Sequence, residues 1–169
     1  MKIYKVLLCV VLCLTSASSF AERMQGYGKT SWGMTPTEVL QAEQGRAHLV
    51  NPPAKYKNSL GMVSVDKLEI GSHLFKVVYQ FTDNKLSQVL VQGLEEKNSG
   101  INRNTFASLE SLLTQKYGQS NFKEEGKRVT WKREGTSIEL THLDIEGVIT
   151  LVTVAYMPES ETNKQTENL

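Results

Sequence analysis

Two helical signals, each followed by segments whose apolar residues alternate, predict an α+β fold. The expected form is a set of tandem helix-plus-antiparallel-sheet repeats, with two helices packed on antiparallel β-sheet. Three observations carry this expectation. Thr35-Pro36-Thr37-Glu38 has the chemistry of a helix start, Phe106 to Tyr117 carries an apolar stripe at a period near 3.6, and after each helix the period drops to two. Runs of strands broken by isolated helices indicate α+β architecture, not a wound parallel sheet.

Ahead of the first helix the chain reads Met-Lys-Ile-Tyr-Lys, an apolar run from Val6 to Leu14, and then Ser19-Phe20-Ala21. A basic start, a short greasy centre and small residues before the cut predict a signal peptide over residues 1–21, cleaved after Ala21. The greasy run is too short for a membrane anchor, which takes ~20 apolar residues. Cys9 and Cys13 both fall inside it, each preceded by leucine where a lipoprotein signal needs a small residue, so no lipid anchor is expected. The mature chain is then cysteine-free, which excludes disulfide scaffolds, thiol nucleophiles and cysteine-ligated zinc. Cleavage removes Lys2 and Lys5 from the 19 basic residues and leaves the remainder one short of the 18 acidic ones. Nothing in that balance indicates nucleic acid or an anionic membrane as partner. Residues 22–157 make one domain, with degenerate repeats at about 30–95 and 102–157, and the polar end 158–169 reads as a disordered tail.

The first helix is expected from Pro36 to about Gln44. Thr35 is its N-cap, Pro36 occupies the first position where no donor is needed, and Thr35 with Glu38 forms a capping box. Met34 can staple against Val39, and Gly45 stops the helix. The second helix is expected to be capped at Asn104 or Thr105, to bury Phe106, Leu109, Leu112, Leu113 and Tyr117, and to end at Gly118.

Strands follow each helix. In the first half Ser64 to Ile70 turns at Gly71-Ser72; Phe75, Val77, Tyr79 and Phe81 then face inward; and Asp83-Asn84 turns the chain into Leu86 to Gln92. In the second half Val129 and Trp131 face inward, Glu134-Gly135 turns into Ser137 to His142, and Glu146-Gly147 turns into Val148 to Tyr156. That last run is apolar on both faces and is expected at the centre of the sheet.

Gly33-Met34-Thr35-Pro36-Thr37-Glu38-Val39 resembles the helix opening of small exported bacterial proteins, among them the outer-membrane assembly lipoproteins of the SmpA/OmlA type. The layout is also similar to that of the β-lactamase-inhibitor-protein fold, and Leu112 to Gly118 followed by Trp131 and Ile138-Glu139-Leu140 fits the same pattern. The chain departs from the lipoproteins in lacking an acylated cysteine and in having Glu43-Gln44-Gly45-Arg46 after the first helix. The resemblance implies the two-repeat fold and a non-enzymatic binding or inhibitory role.

A search for catalytic chemistry finds little. His48, His73 and His142 form no close metal-ligand pair, there is no nucleophile elbow or phosphate loop, and the paired carboxylates sit in polar surroundings. No enzyme activity, metal or cofactor is expected. Two segments read as partner surfaces. The first is the link from Leu49 to Leu60, where Lys55 and Lys57 flank Tyr56; two roles are open to that tyrosine, an interface anchor or a packing contact of a surface crossover. Tyr56 and its neighbours, or else the Asp83-Asn84 turn, would serve as the plug that an inhibitory factor inserts into a partner's cleft. The other segment is Lys123 to Arg133, with Lys132 and Arg133 beside Trp131, either a solvated strand face or a basic stripe for an acidic protein or a glycan. Trp32 and Trp131 are expected in the core, with sugar stacking as the alternative. The expected function is that of a soluble periplasmic module binding another periplasmic or secreted protein, as an inhibitor or immunity-type factor. Such an interface would bury on the order of 1,600 Å². The alternatives are a module for a cell-wall fragment or lipid, with a pocket above ~300 Å³, and an envelope assembly accessory.

Overall fold

The computed structural model describes residues 24–160. The expected signal segment with Cys9, Cys13 and the cut after Ala21 lies outside the described residues, as does 161–169 of the expected tail. Helix α1 spans Pro36–Ala42 and is followed by strands β1 (His48–Tyr56), β2 (Ser59–Ile70), β3 (His73–Thr82) and β4 (Lys85–Gly93). Helix α2 spans Ser99–Tyr117, and β5 (Phe122–Glu124), β6 (Arg128–Arg133), β7 (Thr136–Ile145) and β8 (Ile149–Pro158) complete the chain. Strand β8 takes in Pro158, the first residue of the expected tail.

The expectation of tandem helix-plus-antiparallel-sheet repeats is overturned. All eight strands belong to one sheet in the order β1-β2-β3-β4-β8-β7-β6-β5. The join is the antiparallel pairing of β4 with β8, Val89 opposite Tyr156 and Val91 opposite Val154. Its physical reason is the continuity of the buried face. One row runs Val63, Tyr79, Val89, Tyr156, Ile138, Trp131 across neighbouring strands. A second runs Val65, Val77, Val91, Val154, Leu140, Val129, and every member of both rows is buried. Two separate sheets would each have left an apolar edge strand open to pairing. Both helices lie over these rows, α1 through Val39 and α2 through Phe106, Leu109 and Leu113, in one core cluster.

Helix α1 begins as its local chemistry dictates. Thr35 Oγ1 accepts from the Glu38 N–H (3.4 Å), and Glu38 Oε2 accepts from the Thr35 N–H (2.7 Å). Such a cap contributes ~1 kcal/mol. It ends at Ala42, earlier than expected, because Gln44 and Gly45 both take positive φ, 50° and 83°.

Helix α2 begins earlier than expected, with Asn98 as the cap. Its buried face continues N-terminally through polar residues, Asn102 and Thr105, which an apolar stripe does not reveal. Asn102 Nδ2 donates to Glu95 O (2.9 Å) and Thr150 Oγ1 (3.2 Å). Leu112, expected on the stripe, is 46% exposed, because the buried line runs 102, 105–106, 109, 113 at helical spacing and passes beside it.

The segment expected as a long link is strand β1. It pairs with β2 on either side of an irregular stretch between Leu49 and Ala54 that holds Pro52 and Pro53. Proline is tolerated there because β1 is the edge strand and its outer side needs no donor.

Candidate functional site

Two hairpin turns meet side by side at one end of the sheet. In the first, Tyr56 pairs with Ser59 around Lys57-Asn58; in the second, Thr82 pairs with Lys85 around Asp83-Asn84. Asp83 and Asn84 have φ of 49° and 61°, the two-residue turn whose twist matches its strands and which asparagine and aspartate tolerate. Thr82 Oγ1 donates to Asn58 O (3.3 Å) and so ties one turn to the other.

Between them lies an open groove of about 810 Å³. Lys55, Tyr56, Lys57, Asp83 and Asn84 all line it, with Leu60, Met62 and Phe81 as its apolar part. Five of the seven residues singled out in the sequence are thereby brought together, although they come from segments some thirty positions apart. The pairing of β2 with β3, Leu60 opposite Phe81, does this.

Tyr56 is half-buried, and burial pushes its phenol above the ordinary value. It rests on a glycine: a Cβ at Gly61 would lie 2.9 Å from Tyr56 Cε2 and 2.9 Å from Val78 Cγ1. The ring therefore covers a bare stretch of backbone, and one face of it stays at the groove. Behind it Gln80, 1% exposed, accepts from Ser59 Oγ through Oε1 (2.9 Å), and its Nε2 has no partner among the described residues.

Lys132 and Arg133 lie elsewhere, on β6 in the other half of the sheet. Arg133 Nε donates to Tyr117 O (2.7 Å), which satisfies a carbonyl in the last turn of α2 and sets a cation at that helix's negative pole. The Lys132 N–H donates to Asn121 Oδ1 (2.8 Å), and its Nζ lies 4.0 Å from Glu159. Trp131 is 1% exposed with its Nε1 on Gly118 O (3.1 Å), and Trp32 is 6% exposed with its Nε1 on Thr136 Oγ1 (2.9 Å). Neither indole has a face free for a sugar.

The histidines stand apart. His48 Nε2 is 3.6 Å from Asp66 Oδ2, and both side chains are exposed. His142 Nδ1 donates to the Gly126 carbonyl (3.2 Å), and its Nε2 lies 3.2 Å from Thr150 Oγ1. His73 Nδ1 meets Thr105 Oγ1 (3.1 Å), whose own proton goes to Ile101 O (3.0 Å), so His73 is the donor. Among the described residues no group of three His, Cys, Asp or Glu side chains could hold a metal ion, and no helix is long and apolar enough to cross a membrane.

Sequence reasoning missed one buried polar cluster. Glu43, at the end of α1, accepts from Tyr79 OH at 2.6 Å and pairs with Arg46 Nε, and Tyr27 packs its ring on Tyr79 and Tyr156. Burial, and then the bond to Glu43, holds the Tyr79 phenol far above its ordinary value; burial also raises those of Tyr27 and Tyr156. The available signal was the Glu43-x-x-Arg46 spacing just past the helix. Its partners anchor α1 to β3, a structural task.

Comparison with protein-family models finds no match to this chain, and comparison with curated proteins and with solved structures finds none either.

Proposed function

We propose that this chain is a periplasmic protein-binding module that engages its partner through the groove between the β1–β2 and β3–β4 turns, as an inhibitor or immunity-type factor. The observation that carries this is the convergence of Lys55, Tyr56, Lys57, Asp83 and Asn84 on one concave, partly apolar surface. A half-buried aromatic backed by the rigid sheet is what an interface anchor requires, since little side-chain freedom is lost on binding.

The test is affinity capture from periplasmic extract with the mature chain and with Tyr56→Ala. A stoichiometric partner retained by the first and lost by the second is the expected result. Recovery of no such partner, or equal retention by both chains, overturns the proposal.

A second reading, binding of a small ligand, is favoured by a cavity of about 310 Å³ between the start of α2 and the ends of β3 and β4. Leu74, Leu94 and Ile101 form its exposed apolar lip above His73, Asn102 and Thr105. Thermal-shift measurement with muropeptides and lipids tests it. A rise in melting midpoint that Ile101→Trp abolishes supports it; no rise removes it.

A further inference from the structure

Resting on the reading that the groove receives another protein, we infer that the received segment is acidic and carries an aliphatic side chain between its carboxylates. The rim supplies the first reason. Lys55 and Lys57 line the groove and Lys85 opens β4 opposite Thr82, all exposed. None of the three has a carboxylate partner within 4.0 Å among the described residues, as is also true of Lys67, Lys97 and Lys116; what sets Lys55 and Lys57 apart is that both line one groove. The one acid in the two turns is Asp83, so the rim carries an uncompensated positive charge that a carboxylate would relieve.

The second reason is the centre. Leu60 is 40% exposed and lines the groove with Met62 and Phe81, so an apolar patch lies inside the charged rim. An apolar middle within a polar border is the usual anatomy of a protein interface. The surface is concave between two protruding turns, which suits a loop or hairpin tip and not a flat bilayer.

The experiment is an NMR titration of the isotope-labelled chain with two acetylated and amidated pentapeptides, Glu-Leu-Glu-Leu-Glu and Lys-Leu-Lys-Leu-Lys. The acidic peptide should shift amides of residues 55–60 and 81–85, and the basic one should not. The triple variant Lys55→Glu, Lys57→Glu, Lys85→Glu should weaken the acidic peptide by ~tenfold or more. Equal shifts from both peptides, shifts confined to another region, or none from the acidic peptide would overturn the inference. So would binding of anionic phosphatidylglycerol vesicles in preference to the peptide. A failure here, with a Tyr56-dependent partner still captured, leaves the groove as the binding surface and removes only its acidic specificity. If no Tyr56-dependent partner is captured at all, both readings fall together.

Discussion

The molecule has two lysine-rich hairpins that look alike in sequence and differ in what their cations do. On β5 and β6, Lys123 meets Glu110 and Glu125, Lys127 meets Glu124, Arg128 lies 4.9 Å over the Phe122 ring, and Arg133 caps α2. On the β1–β2 hairpin, Lys55 and Lys57 meet no carboxylate among the described residues. The aromatic residues differ in the same way. Trp131 is 1% exposed beneath α2, while Tyr56 is half-buried and borders a groove. Basic content alone therefore says nothing about availability; both hairpins form an edge of the sheet, and the difference is that one sits beside the acids and the carbonyl end of α2, while the lysines of the other meet no carboxylate among the described residues.

That contrast can be broken most forcefully at the aromatics. Trp131→Ala should lower unfolding free energy by ~3–5 kcal/mol, the cost of emptying a fully buried site. Tyr56→Ala should lower it by under ~1 kcal/mol. Urea denaturation of both variants checks this, and similar losses would erase the distinction.

Next in size comes alkaline pH, where the Tyr79→Phe variant isolates the contribution of the core tyrosines. Tyr27, Tyr79 and Tyr156 have folded-state values raised above the ordinary 10.0. The stability this brings is present in full below the unfolded value and is lost as pH rises past it, because only the unfolded chain can then ionise. Circular dichroism should show a falling melting midpoint above pH ~10, steeper in the parent than in Tyr79→Phe.

A sharper probe of the groove is Gly61→Ala. Its Cβ would crowd Tyr56 and Val78 at 2.9 Å, so the ring must leave its seat. Overpacking of this kind costs ~1–3 kcal/mol, and Tyr56 fluorescence should become more solvent-exposed. The smallest pair sets Arg133→Ala, with a loss of ~0.5–1 kcal/mol from the end of α2, against Lys57→Ala, within ~0.5 kcal/mol of the parent.

What was legible in the sequence follows the reach of each signal. The cap of α1 is a four-residue affair, and Thr35 and Glu38 make both of its bonds as expected. Strand β1 was hidden because Pro52-Pro53 argues against a strand unless the strand is known to be an edge. The true start of α2 was hidden because Asn102 and Thr105 are buried polar residues; Asn102 Nδ2 finds acceptors on Glu95 and Thr150 and Thr105 meets His73, and two of those three partners lie over thirty positions away in sequence. The single sheet was illegible for the same reason. Alternation tells which residues of β4 and β8 face inward, but not that those two strands pair. As for the site, Tyr56 with its lysines and the Asp83-Asn84 turn stood out separately; their convergence needs the register of β2 on β3. Lys132 and Arg133 stood out equally, and the helix end that occupies Arg133 could not be seen from the strand.

Reversing the charge of the two lysine sets in parallel tests the division between them most directly. The account predicts that Lys55→Glu with Lys57→Glu abolishes retention of the captured partner and leaves the melting midpoint in place. It predicts that Lys123→Glu with Lys127→Glu lowers the midpoint by a few degrees and leaves retention intact. The opposite assignment, or loss of retention from both sets alike, would contradict it.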